Sequence, residues 1–133
     1  MPVYSLSSNK KLNDSVKLKL ANLLTDTHCG ITGAPEQFVH VFFSDGVPIK
    51  ENGSLYIHAN VRKGRNTETI EKLRDTLVSK SAEIIGVDAN RVMINLLEIE
   101  SKWIMEGGFV MPEPGEEEEW MEKVKKILAV RDK

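Results

Sequence analysis

The chain lacks most of what would place it in a specialised class. It has one cysteine, Cys29, so no internal disulfide can form, and its start, MPVYSLSSNKK, lacks the apolar centre of a secretion signal. Both features point to a reducing, cytoplasmic setting. No apolar run approaches the roughly 20 residues of a spanning helix, which argues against a membrane partner. Neither sign of charge predominates: 18 Lys+Arg against 20 Asp+Glu leave a formal net charge of −2. That balance argues against nucleic acid as a partner and against a disordered tail. The patterns GxGxxG, GxxxxGK[ST] and GxSxG are absent, and nothing stands at metal-ligand spacing. What is present is 133 residues, 41% hydrophobic, the size of one soluble domain with a core of its own.

Along the chain, Pro2 to Ser8 reads as a strand entering a loop. Asn13 or Asp14 then caps a helix whose apolar residues Val16, Leu20, Leu23 and Leu24 recur at helical spacing, with Gly30 as its stop. FVHVFF, from Phe38 to Phe43, reads as a buried strand. The order then repeats. LYIHANV, from Leu55, is strand-like; Asn66 caps a helix with the stripe Ile70, Leu73, Leu77 and Ile84; and VMINLLEI, from Val92, is another strand. ITGAPEQFVHVFF from Ile31 also lies over IIGVDANRVMINL from Ile84, with Gly86 placed 53 positions beyond Gly33. The expectation is a single α/β (α+β) domain over 1–133, built from β-α-β units at about 2–46 and 54–99 with an extension at 100–133. Two helices would cover one face of a four-stranded sheet. The second face is too apolar to stay bare, so homo-oligomerisation is expected to cover it. In the extension, Trp103 to Gly115 reads as a loop with short strand pieces. A helix follows that opens with Glu116 to Glu119, a solvated acidic start suited to the helix dipole. Trp103 and Trp120 read as packing residues.

Several residues invite chemistry, each with a plain alternative. Pro2 is either the ordinary second residue of a terminus or, once Met1 is trimmed, a secondary amine whose pKa burial and nearby cations would lower into the range of a base at neutral pH. Arg62 and Arg65, in VRKGRN, follow a strand and precede the Asn66 cap. They form either a solvated basic turn or a carboxylate site reinforced by a helix N-terminus. His28 stands near the end of the first helix, where an imidazolium would complete the dipole. Glu106, in WIMEGGFVMPEPG, is a surface carboxylate or one whose pKa apolar neighbours raise. His40 and His58 read as sheet residues, and Cys29 as a packed small side chain.

The initial Met-Pro, PVY, LTDTHCGITG, the RKGR turn and EGGFVMPEPGEEEEW, in this order and with a duplicated β-α-β unit, resemble the tautomerase superfamily. Within it the likeness is to the cis-3-chloroacrylic acid dehalogenase group, and it covers nearly the whole chain. The resemblance implies a homotrimer and a role for each matched residue. Pro2 matches the N-terminal proline that acts as base in tautomerases and as acid in the dehalogenases. Arg62 and Arg65 match the arginine pair on the substrate carboxylate, His28 a histidine that helps bind it, and Glu106 the glutamate that activates water. Tyr4 matches the tyrosine near the proline. One position departs: Asn95 stands where the dehalogenases carry a last-strand tyrosine, and an amide only partly replaces the phenol as a donor to water. The linker from Asp45 to Gly53 is also shorter.

The resulting expectation is a cofactor-independent tautomerase of small 2-keto or enol carboxylic acids, with Pro2 as general base. The alternative is a 3-haloacrylate dehalogenase or hydratase, with Glu106 activating water and Pro2 as acid. An alternative of another class is a non-catalytic trimeric binding protein.

Overall fold

A computed structural model describes residues 1–131. Its elements are β1 (Val3–Ser8), α1 (Asp14–Thr32), β2 (His40–Ser44), β3 (Leu55–Arg62), α2 (Thr67–Ile85), β4 (Val92–Ile99), β5 (Met105–Glu106), β6 (Phe109–Val110) and α3 (Glu117–Arg131). The first four strands form one mixed sheet in the order β2-β1-β3-β4. β1 pairs in parallel with β2, β3 in parallel with β4, and β1 antiparallel with β3 at the centre. Each parallel pair is bridged by a helix, as parallel neighbours require.

The two helices are built alike. The Asn13 side chain accepts from the Val16 amide and that of Asn66 from the Thr69 amide, each satisfying a donor that the first turn leaves free. Each helix is 19 residues long, and each ends on a glycine in the left-handed region, Gly33 at φ 76° and Gly86 at φ 75°. α1 therefore runs past Gly30, the stop expected from sequence. A helix interior tolerates a glycine, and termination falls where the backbone turns left-handed and the Gly33 amide closes on the Cys29 carbonyl. β2 likewise starts later than expected. Phe38 belongs to a 3-10 turn, Glu36–Phe38, and its ring meets Trp120 edge-on with centroids 6.2 Å apart.

Alternation along the strands decides the two faces of the sheet. Tyr4, Leu6, Leu55, Ile57, Ala59, Val61 and Val92 point under the helices and pack with Leu20, Leu24, Ile70, Leu73 and Leu77. The opposite face has no layer over it in the single chain, and Phe42 there is 59% exposed and Leu97 49%. Beyond β4, the extension crosses the end of the sheet at which β1 begins and β3 finishes. There Ile104 and Met111 pack on Met1, with Val3, Ile99 and Trp120 around them. Trp103 does not pack: it is 73% exposed. Among the described residues, no helix is long and apolar enough to cross a membrane.

Candidate functional site

At this end of the sheet the N-terminus is sealed in. The Pro2 side chain is fully buried, and its carbonyl accepts from the His40 amide at 3.1 Å, which draws the first residues into the β1–β2 pairing. With Met1 in place, its amino group meets the Glu106 carboxylate. Glu106 reaches it because β5 and β6 form a hairpin through Gly107 and Gly108, both at positive φ. Two consecutive left-handed residues make the tight turn that such a hairpin needs, and glycine adopts it without strain. Burial, with the Arg62 charge second, pulls the Met1 amine down to about 6. An amine at this place is largely neutral at pH 7.

Arg62 is the last residue of β3 and only 2% exposed. One Nη donates to the Pro112 carbonyl at 2.6 Å, and the other to Glu117 Oε1 at 2.5 Å. The chain then turns sharply at Gly64, whose φ of 122° excludes most side chains; a Cβ there would also lie 3.2 Å from the Pro114 ring. This turn brings Arg65 back so that its Nη1 donates to the Arg62 carbonyl at 3.0 Å. Burial and the adjacent Arg62 charge pull Arg65 below the usual arginine value, opposed by Glu117 among others, and it remains a cation.

His28 approaches the same end from α1. Contrary to the sequence expectation, it lies one turn short of the helix end and does not serve the dipole as an imidazolium. It is 1% exposed, and burial, followed by the charges of Arg65 and Arg62, pulls it down to about 3. The ring is therefore neutral. Tyr4 OH lies 2.7 Å from His28 Nδ1, and burial raises the phenol well above its ordinary value, so it keeps its proton. Assigning that proton to the shared bond makes the phenol the donor and leaves the imidazole proton on Nε2. Nε2 is buried with no protein partner among the described residues. It is a hydrogen-bond donor ready for an acceptor that enters from outside.

Pro2, Arg62, Arg65, Glu106, His28 and Tyr4 thus converge at one end of the sheet, as shared strand ends and burial place them. Asn95 does not join them. It sits in the middle of β4, opposite His58, with its Nδ2 3.3 Å from His58 Nδ1 on the open face. Arg62 pairs with Ile99, four residues further along β4, or about 13 Å at the rise of a strand. Glu117 is the residue that sequence reading missed. The run Glu116 to Glu119 was expected to be a solvated helix start, whereas Glu117 is turned inward onto Arg62. The available signal was an acidic first turn shortly after a Pro-Gly-rich strap, but nothing local names its partner. Among the described residues, no group of three His, Cys, Asp or Glu side chains could hold a metal ion.

No family model matches the sequence, and no curated protein matches it. Solved structures do. N1, a member of the cis-3-chloroacrylic acid dehalogenase family, superposes with a TM-score of 0.81 at 29% identity, over 96% of this chain and 98% of its own. Ps01740 superposes at 0.71 with 27% identity, over 78% and 99%. The Q0 fused 4-OT, a symmetric trimer, shares the fold at 0.73 with 16% identity, over 82% and 94%. With a duplicated sheet-and-helix frame, a buried N-terminus beside paired arginines, and a likeness to N1 across almost the full length, the chain has the fold of the tautomerase superfamily and is similar to the cis-3-chloroacrylic acid dehalogenase family.

Proposed function

We propose that the protein is a cofactor-independent tautomerase of small 2-oxo or enol carboxylic acids, with the nitrogen of Pro2 as general base once Met1 is removed. The observation that carries this reading is the convergence of a sealed N-terminal amine with two arginines and a histidine nitrogen that has no protein partner among the described residues. Removing Met1 frees the space its side chain fills against Ile104 and Met111, and it leaves a secondary amine in surroundings that disfavour protonation. The substrate carboxylate binds at Arg62 and Arg65 and accepts from His28 Nε2. The same cations stabilise the enolate as charge moves onto the 2-oxygen. Pro2 takes a proton from one position of the substrate and returns it to the next, so no net oxidation or group transfer occurs.

Glu106 supports a second reading. Its carboxylate meets the Met1 amine, one residue from the Pro2 nitrogen, where it would activate water for addition to a 3-haloacrylate while a protonated Pro2 supplies the proton. Asn95 in place of the family's tyrosine weighs for the first reading. The subunit is a homotrimer in which neighbouring chains cover the open sheet face, so that Asn95 reaches a site only from an adjacent subunit. The symmetric trimer of a fused 4-OT with this fold supports that assembly.

Mass spectrometry should find the purified chain beginning at Pro2. On such protein, Pro2→Ala should lower turnover of phenylenolpyruvate by about 100-fold or more, the usual contribution of a general base. Turnover equal to the parent's would reject the mechanism. The pH–rate profile separates the two readings, because a base mechanism loses rate below the Pro2 pKa and an acid mechanism loses it above.

A further inference from the structure

Arg62 has two partners that no substrate supplies, one in the strap between β6 and α3 and one at the first residue of α3. The Pro112 carbonyl takes one Nη and Glu117 the other. Glu117 is itself held from the far side, since its Oε2 accepts from the Gly115 amide at 2.9 Å. Burial pushes this carboxyl up, yet the hydrogen bond from Arg62 and the backbone bonds outweigh it and hold Glu117 below the usual carboxylate range. It is an anion locked between a buried cation and the strap. A guanidinium so gripped keeps one plane, and part of its charge is already offset before any substrate arrives.

We infer that Glu117 is a positioning residue of the site: it orients Arg62 and, by offsetting its charge, sets both how tightly a carboxylate binds there and how readily the N-terminal nitrogen holds a proton. The inference rests on the proposed function, in which Arg62 binds the substrate carboxylate. The N-terminal amine meets Glu106 from β5 and feels the charge of Arg62 from β3, with the neutral His28 of α1 nearby; Arg65 from the following turn and Tyr4 of β1 lie behind His28. Glu117 acts on it through Arg62. The sign follows directly. Removing the anion leaves Arg62 uncompensated, which disfavours a positive charge on the nearby amine and favours a negative one on the substrate.

The test compares Glu117→Gln, which keeps the acceptor and loses the charge, with Glu117→Ala, which loses both. In Glu117→Gln the acidic limb of the pH–rate profile should move down by about half a unit or more, and KM for phenylenolpyruvate should fall about threefold. Glu117→Ala should share the downward shift but lose about tenfold in kcat/KM, because the guanidinium is no longer held. A nitrogen-15 NMR titration of Pro2 in Glu117→Gln reads the same shift without turnover. If neither the limb nor the titration moves in Glu117→Gln, the inference is wrong and Glu117 merely fastens the strap. If instead Arg62→Ala leaves KM unchanged, the carboxylate clamp beneath it is wrong, whatever the titration of Pro2 shows.

Discussion

His28 shows how surroundings reassign a residue. Its neutral ring, fixed by Tyr4 at Nδ1, serves as a donor where a helix-end histidine would have been a cation. The reassignment has a cost that depends on pH. Because its pKa falls on folding from an ordinary 6.5 to about 3, the unfolded chain binds more protons between those values. The stability due to the neutral ring is complete above about pH 6.5 and is lost as pH falls toward about 3, by at most about 1.4 kcal/mol per pH unit. His28→Gln should therefore flatten the fall in unfolding free energy over this window, as measured by urea melts at several pH values. Equal slopes for parent and variant would mean that His28 does not titrate as described. The type and position of His28 were legible in LTDTHCGITG, but its charge was not, because burial under the sheet and the approach of Arg62 and Arg65 are properties of the fold.

Among the elements, the two capped helices and four main strands were legible, since caps, apolar stripes and strand alternation act within a few residues. The misreadings occur where a local signal had two outcomes. Gly30 is compatible with both a helix interior and a helix stop, and Phe38 with both a strand and a turn packed on Trp120. The strap was the least legible element, because its path is set by contacts with the turn at Gly64 rather than by its own sequence. That contact yields a prediction. Gly64→Ala combines a left-handed φ of 122° with a Cβ 3.2 Å from the Pro114 ring, so both the turn and the strap must shift. A loss of about 1–3 kcal/mol in stability is expected from the strained backbone, together with a raised KM as Arg65 moves. Thermal melts and steady-state kinetics would check both; a variant with unchanged melt and KM would show that the strap yields freely.

At the level of the molecule, the sheet is covered on one side only. Its open face carries Phe42 on β2 and Leu97 on β4, the two edge strands, together with the polar pair formed by His58 of β3 and Asn95 of β4. In the proposed trimer this face is interior. Phe42→Glu should then drive the assembly to monomers in sedimentation velocity and abolish turnover, since burying an unpaired carboxylate among apolar neighbours is strongly unfavourable. A variant that sediments as the parent does would place the interface elsewhere.

Local chemistry settled which segments are helix and strand, and which residues were worth watching, because propensity, capping and periodicity operate over a few residues and are written into adjacent letters. The tertiary structure decided which of those residues meet and in what charge state. Tyr4 finds His28 across 24 positions and Arg62 finds Glu117 across 55, and no local pattern encodes either pairing. They follow from the strand order β2-β1-β3-β4, which brings the start of β1 beside the end of β3, and from the strap laid across that end. The same enclosure removes water from the amine and the imidazole, and desolvation is what makes the amine mostly neutral at pH 7 and keeps the imidazole neutral well into the acid range.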